Sequence, residues 1–501
     1  MTDPTIVFYN PLSTTPGKQP LPVSLLSLAA VLEGRRAWTL VDGNVTADPA
    51  AGILARLAES GASSCQAAPR PALLAVTVMP GPQLTQAVAV CRAVRRARPD
   101  VRVVWGGYFP TQHADTVLRS SFVDFVVRSQ GERPFAQLVD ALASGTSLDG
   151  VSALSWTCDG RIVHNPAQPP VPLDDLPDLP YDRVRMDDYI HPNYLGRRTV
   201  AHNSSFGCPF ACSFCAVVAM SGRRWMAQSP ARIERVLRHL VTRYGVDAVQ
   251  MHDMDFFISE ARAAETAERI APLGLGWWAL GRIDTLMQYS DATWQRLAAS
   301  GLRMVFSGAE SASAATLAAM NKGGKAAPEL AVALARRLRQ YGIVPEFSFV
   351  LGSPPEPLAD MAQTFEFIRT IKRVNPATEI VLYTYTPVPG GAMTAEAARL
   401  GFSFPSSLDE WASDDWRRLM MRRGDGIPWM DDAVRRRVRN FERVLNAYYP
   451  TVTDRRLTRA RRALLRTIST WRYRLRIYAA PYELRALHRL IAYQRPETTG
   501  F

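Results

Sequence analysis

The sequence predicts an α/β protein in two parts followed by a helical region, and three observations lead there. Short apolar runs alternate with helix-patterned stretches through the first 145 residues. After a Pro- and Asp-rich stretch (PAQPPVPLDDLPDLPYD) the alternation resumes near residue 200 with six further runs. Beyond about residue 405 the pattern is helical, Arg-rich and aromatic. Strands alternating with helices make βαβ units and parallel sheets. Residues 1–148 therefore read as a doubly wound α/β domain and 149–195 as a linker with a small hairpin. Residues 196–400 read as a partial (β/α)6 barrel and 401–501 as a helical C-terminal region.

In chain order, Ile6–Tyr9 is the first strand, ending at Asn10-Pro11, and Val23–Glu33 is helix-like. Trp38–Val41 runs into Asp42-Gly43-Asn44, and Leu73–Val78, which contains Thr77, into Met79-Pro80-Gly81. Gln83–Ala97 has helical periodicity, Val101–Trp105 ends in Gly106-Gly107, Phe122–Val127 is a strand and Pro134–Ala143 a helix. Ligands on such sheets bind beyond the carboxyl ends of the strands, where Asn10, Asp42, Asn44, Thr77, Gly106 and Gly107 gather. A hairpin is expected around Leu154–Val163. The barrel strands are expected at Val200–Ser205, Ala248–His252, Trp277–Leu280, Met304–Ser307, Glu346–Leu351 and Glu379–Tyr385, with helices such as Pro230–Tyr244 and Ala327–Tyr341 between them.

Composition narrows the class. The chain has 501 residues, 47% hydrophobic and 21% charged, which excludes a disordered chain, a collagen and a small disulfide scaffold. No run of about 18 apolar residues is present, and the N-terminus has no basic stretch followed by an apolar one, so neither a membrane span nor a signal peptide is expected. The net charge is +13, of which +9 lies in residues 451–501 with twelve Arg and three acids. The basic excess is therefore a feature of the tail.

Three of the six cysteines fall within eight residues, as Cys208-x-x-x-Cys212-x-x-Cys215 after the first barrel strand. Three thiolates on one loop can hold three irons of a [4Fe–4S] cluster and leave the fourth iron open. Zinc is the alternative, with His202 as a fourth ligand, although zinc sites usually pair their ligands; three unrelated thiols are the other. Ligands in a reducing, cytoplasmic compartment fit this clustering better than disulfides.

Around these cysteines, FGCPFACSFC, with Phe214 between the last two, resembles the radical S-adenosylmethionine (SAM) superfamily. The resemblance implies a TIM-like barrel in which the open iron chelates SAM and one electron cleaves it to a 5′-deoxyadenosyl radical. Later strand ends support it. His252-Asp253-Met254-Asp255-Phe256 resembles the family's acidic-aromatic segment near the SAM amino group, with Met254 separating the two acids. Arg282 follows the third strand, and Ser307-Gly308-Ala309-Glu310-Ser311 resembles the Gly-x-Glu-Ser segment. The resemblance thus assigns Phe214, Asp253, Asp255, Arg282, Ser307 and Glu310 to SAM. The run Met320-Asn321-Lys322-Gly323 also fits, while Leu351-Gly352 and Tyr385-x-Pro387-x-Pro389-Gly390 end the last two strands.

The first domain resembles the Rossmann-like cobalamin-binding domain that precedes this barrel in one large subgroup. The match runs through PGKQPLPVSLLSLAAVLE, Gly106-Gly107-Tyr108-Phe109-Pro110-Thr111 and Val123–Arg128 leading to Gly131-Glu132. It assigns Asn10, Asp42, Asn44, Thr77, Gly106, Gly107 and Glu132 to cobalamin. A Gly-Gly turn also lets backbone approach a large flat ligand, and no G-x-G-x-x-G or P-loop supports a nucleotide. Asn44 stands where many cobalamin proteins have a cobalt-ligating His, and Ala47 where they have Gly, so cobalamin without a His lower ligand is implied.

Together these resemblances imply a cobalamin-dependent radical SAM enzyme, foremost a C-methyltransferase acting on an unactivated carbon of a small or lipid-like substrate. One SAM would methylate reduced cobalamin, and a second would yield the hydrogen-abstracting radical. An external donor such as flavodoxin or ferredoxin would supply electrons. Oxidation or cyclisation without methyl transfer is the first alternative. An RNA methylthiotransferase would need a second cysteine set, for which only Cys65 and Cys91 are at hand, and a cobalamin or metal sensor would not cleave SAM. Trp278, Tyr383 and Tyr385 are substrate-pocket candidates. Cys158, His113, His164, His191, His239 and His488 read as structural. In the tail, Trp471-Arg472-Tyr473-Arg474-Leu475-Arg476-Ile477-Tyr478 is foremost a helix packing aromatics inward with arginines in water. A peripheral membrane contact is the alternative, with nucleic acid least favoured.

Overall fold

The computed structural model describes residues 4–14, 17–59, 72–322, 327–354, 357–389, 391, 393–454, 457–491 and 493. Two parallel sheets organise it. The first joins β1 (Thr5–Asn10), β2 (Trp38–Asp42), β3 (Ala72–Thr77), β4 (Arg102–Gly106) and β5 (Phe125–Val127) to a hairpin of β6 (Leu154–Cys158) and β7 (Arg161–His164). Its order is β2-β1-β3-β4-β5-β6-β7, parallel through β5 and antiparallel beyond. Both faces are covered, which is why β1, β3 and β5 are nearly continuous apolar runs.

The hairpin corrects one expectation. It is an extension of the first sheet, pairing Phe125 with Trp156, and not a feature of a free linker. A helix at Pro49–Glu59, unread from the sequence, covers β1 and β2, burying Ile53 and Leu57.

The second sheet is six-stranded and wholly parallel. Its members are β8 (Thr199–His202), β11 (Ala248–Met251), β12 (Gly276–Leu280), β13 (Leu302–Glu310), β14 (Val344–Leu351) and β15 (Glu379–Thr384), with order β15-β14-β13-β12-β11-β8. This is the expected open (β/α)6 barrel. A short antiparallel pair, β9 (Ser205–Gly207) and β10 (Trp225–Ala227), brackets the cysteine loop. Serines set several helix starts: Ser229, Ser259 and Ser290 each accept a backbone N–H three residues on.

The C-terminal helices bind the two sheets together. Trp411 packs on Phe109 and His113 of the first domain, with ring centroids 5.4 and 4.5 Å away. Phe441 stacks on Phe365 of the barrel at 3.9 Å. His113 is stacked and neutral, its pKa pushed down to about 4 by burial. His164, His191, His239 and His488 likewise contact neighbouring polar groups or rings.

Candidate active site

The cysteine loop leaves β9 at Gly207, whose φ of +77° and lack of Cβ are required because a Cβ would strike the Arg224 carbonyl. The far side of the loop is pinned to the end of the Ala314–Ala319 helix. Ser213 N donates to Met320 O at 3.0 Å, Ser213 Oγ to Ala319 O at 2.7 Å, and Asn321 Nδ2 to Ala211 O at 2.9 Å. This gives the Met320-Asn321-Lys322 run a physical role; Gly323, Gly390 and Cys65 lie outside the described residues.

The three thiols sit on one half-buried loop. Burial, with Asp255 and the other two sulfurs nearby, raises Cys208 to about 12, and burial raises Cys215 as well. Bound to iron, such groups are deprotonated outright. Among the described residues no three His, Cys, Asp or Glu side chains gather round a single ion. His202 is fully buried with Nε2 3.1 Å from Gln228 Oε1, and its pKa falls to about 4, so its ring is already engaged away from a zinc role.

The acids after β11 are both buried and differ in surroundings. Asp253 accepts from Ser204 Oγ at 2.8 Å, and Ser204 in turn receives Arg262 Nη2 at 2.8 Å. Asp255 accepts from Phe257 N at 3.1 Å and has Arg282, Asp284 and Lys322 in its field. Its Oδ2 is buried without a hydrogen-bond partner, and burial lifts its pKa to about 7. Asp253 Oδ1 is unpartnered too. A buried carboxyl with an open oxygen, lying within the field of a cysteine thiol, fits a cationic amino group, whose charge would favour its ionised form.

Arg282 is held by a two-point bond to Asp284, Nε to Oδ1 at 3.0 Å and Nη2 to Oδ2 at 2.7 Å, and also donates to Lys322 O. Its Nη1 reaches Cys212 Sγ at 3.2 Å and its guanidinium lies 3.9 Å from the Phe210 ring centroid. Glu310 ends β13 in the left-handed region, φ +63°, and pairs with Lys322 Nζ at 3.0 Å. Ser307 Oγ donates to Gly281 O at 2.7 Å. Two small clefts lie beside these elements, one lined by Arg282, Asp284, Gly308 and Lys322, the other by Asn203, Phe206, Gly207, Val217, His252 and Met254.

At the first sheet the polar residues bond to one another. Asp42 Oδ1 accepts from Asn44 N at 2.8 Å and Asn44 Nδ2 at 2.7 Å, while Asp42 Oδ2 accepts from Tyr189 OH at 2.9 Å. Asn44 Oδ1 receives Ser13 N at 2.9 Å, and Asn10 Oδ1 receives Gln83 Nε2 at 3.2 Å. Glu132 accepts from Ser27 Oγ at 2.6 Å. Gly107, with φ +96°, lets the turn close on Thr77 and Val78: a Cβ there would lie 3.1 Å from Thr77 Oγ1. Its carbonyls are engaged within the chain, Gly106 O by Val78 N at 2.9 Å and Gly107 O by Thr111 Oγ1 at 2.7 Å.

The Tyr108–Gln112 helix after this turn packs against the Val217–Ser221 helix after the cysteine loop. Tyr108, its pKa raised to about 12 by burial, lies in the field of Cys215 and of Arg422. Arg422 was not singled out from the sequence. It follows a C-terminal helix in the left-handed region, φ +53°, accepts Thr384 N at 2.8 Å and holds its guanidinium 5.7 Å from the Tyr383 ring. As one of several arginines in an Arg-rich stretch, beside Arg423, it carried no signal of its own.

The pocket candidates separate. Trp278 is buried with Nε1 on Glu346 Oε2 at 2.8 Å, beside His252 and Phe306. Trp277 faces the other way, into the main core. Tyr383 is half-buried under Arg422, and Tyr385 is buried in the apolar cluster against which Phe214 packs. Cys91 is buried with its thiol receiving Trp105 Nε1 at 3.4 Å and its pKa raised to about 12, which makes it an ordinary core thiol.

Two α/β units, one with a three-cysteine loop beyond its first strand and one with a Gly-Gly turn, with the helices that follow loop and turn packed together, define the class. Residues 202–368 match the radical SAM superfamily and residues 10–139 the B12 binding domain. The chain thus carries a B12 binding domain followed by a radical SAM domain. It is 29% identical over 289 residues to an uncharacterized methyltransferase of Pyrococcus horikoshii, covering 57% of this chain and 61% of that one. It is 26% identical over 261 residues to an anaerobic magnesium-protoporphyrin IX monomethyl ester cyclase of Synechocystis, covering 51% of each. The chain thus spans between half and two thirds of these relatives. In fold it is similar to the radical SAM methyltransferase TsrM of Kitasatospora setae, solved with cobalamin and a [4Fe-4S] cluster, at TM-score 0.64 and 17% identity over 82% of this chain and 81% of that one.

Proposed function

We propose that this chain is a cobalamin-dependent radical SAM methyltransferase acting on carbon in a small or lipid-like substrate. The observation that carries the reading is the contact between the two ligand-facing elements. The helix after the Gly106-Gly107 turn packs on the helix after the cysteine loop, so a ligand on either turn borders the same space. A methyl donor and a radical generator must share such a space.

Cys208, Cys212 and Cys215 would ligate three irons, and Asp255 would receive the SAM amino group through its open Oδ2. Arg282 would border both cluster and SAM from its seat on Cys212 Sγ, with Ser307, Glu310 and Phe214 closing the pocket. The Gly106-Gly107 turn and Thr77 would present backbone and a small side chain to the corrin, with Asn10, Asp42, Asn44 and Glu132 setting the rim. Asn44 is held by Asp42 and Ser13, which supports a corrin without a protein ligand below. When bound, the cluster with SAM supplies a carbon radical and the corrin supplies a methyl group; the chain orients both and excludes water. An external one-electron donor is required.

The test is anaerobic. The chain is reconstituted with iron, sulfide and hydroxocobalamin, freed of unbound cofactor, and reduced in the presence of SAM. Bound corrin with 5′-deoxyadenosine supports the reading, and S-adenosylhomocysteine in addition supports methyl transfer. Cluster without corrin overturns the cobalamin assignment. A ring-forming oxidation is the second reading, favoured by the cyclase relative; it predicts 5′-deoxyadenosine and corrin without S-adenosylhomocysteine.

A further inference from the structure

The helix Arg459–Leu475 is apolar on two faces. One face buries Leu465, Ser469, Arg472 and Tyr473. Arg472 is a clamp there, bonded to Glu483 and to the Ala479 and Ala480 carbonyls, and Tyr473 stacks on Tyr448 at 4.2 Å. The expected packing of tail aromatics inward is therefore half met. The other face carries Leu464, Trp471 and Leu475, exposed by 47%, 46% and 66%. Their spacing of seven and four residues stacks them in one stripe. Ile477 and Tyr482, exposed by 40% and 69%, follow immediately. Six of the eleven large hydrophobics exposed among the described residues lie in 464–490, too concentrated for the scatter of an ordinary surface.

The stripe is bordered by cations. Arg461 and Arg474 flank it and are exposed, and among the described residues neither has a carboxylate within ion-pair distance, whereas Arg476 is paired with Glu366. Residues 451–501 carry twelve Arg against three acids. Aliphatic side chains interleaved with Trp, Tyr and unpaired Arg match a headgroup–hydrocarbon boundary: Leu and Trp enter the apolar layer while Arg reaches phosphate. A nucleic-acid surface would present stacking rings without Leu464 and Leu475 between them. No described helix is long and apolar enough to cross a membrane, so the contact would lie in the interface plane.

We propose that the outer face of Arg459–Leu475, continued by Ile477 and Tyr482, docks the enzyme on an anionic lipid surface. The proposal stands apart from the reaction, because the inner face of this helix packs through Tyr473 on Tyr448 and Arg369 and on no residue placed in the active site. Full-length protein is sedimented with phosphatidylcholine vesicles with and without phosphatidylglycerol. Binding to the anionic vesicles alone, weakened at least tenfold by Trp471→Glu with Leu475→Glu and about as much by Arg461→Gln with Arg474→Gln, is the expected result. SAM cleavage and melting temperature should be unchanged in these surface variants. No binding to anionic vesicles, or binding indifferent to the Trp471 and Leu475 changes, overturns the proposal. So does a wild-type dimer that the same changes dissociate, or RNA binding that they abolish, since the face would then belong to another occupant.

Discussion

Both parallel sheets present polar residues at their carboxyl ends, yet the two ends are finished differently. At the first sheet Asn10, Asp42, Asn44 and Gln83 bond within the chain, Asp42 also to Tyr189, and beside them the half-buried Gly106-Gly107 turn carries no side chain. At the second, Asp253 and Asp255 are buried, each with one oxygen unpartnered. Burying an unpaired polar atom costs about 1–3 kcal/mol. A closed polar network beside a turn without side chains suits a large flat ligand recognised by shape. An open carboxylate beside cysteine thiols suits a small cationic ligand recognised by charge.

The largest effect should come from the cysteine loop. Replacing Cys208 with Ala abolishes 5′-deoxyadenosine formation, whereas Cys91→Ala leaves it intact; nucleoside analysis by chromatography decides. Next, Asp255→Asn weakens SAM binding to the reconstituted protein by about 2–5 kcal/mol, the usual cost of truncating a buried charge pair. Asp253→Asn should mainly lower the melting temperature, because its partner is the Ser204–Arg262 network. If calorimetric titration shows the reverse order, the two acids exchange roles.

On the first sheet, Gly107→Ala forces an alanine to φ near +96° and costs about 1–3 kcal/mol. Bound corrin, read by absorbance, should fall while iron content is unchanged. Loss of both would mean that the two ends are not independently built.

The remaining effect, on overall stability and not on the ligand ends, is on pH. Burial lowers His202 and His252 to about 4, so the folded chain keeps both neutral while the unfolded chain takes up protons below about 6.5. Stability is complete above that pH and is lost as pH falls from about 6.5 to 4, by about 3 kcal/mol for each residue at most. His202→Gln should flatten the slope of denaturant stability against pH in this window; an unchanged slope rejects the assignment.

Much of the barrel was legible because its six apolar runs lie in sheet order, and neighbours in the chain are neighbours in space. The hairpin at Leu154–His164 was read as separate because its apolar side, Leu154 and Trp156, finds its partner only in β5. The helix Pro49–Glu59 escaped because Gly52 and four alanines leave few large apolar residues to mark its stripe.

The sequence by itself determined the cysteine spacing, the alternation of strands and helices, and the Asn at position 44, all local features that need no partner. Tertiary structure alone decided that Arg282 meets Cys212, that Asp255 faces the thiols while Asp253 faces Ser204, and that Arg422 from the C-terminal region reaches Tyr383. Those pairings join residues on different strand ends or domains, and they exist only once the sheets have closed and the helices between them have set each end in register.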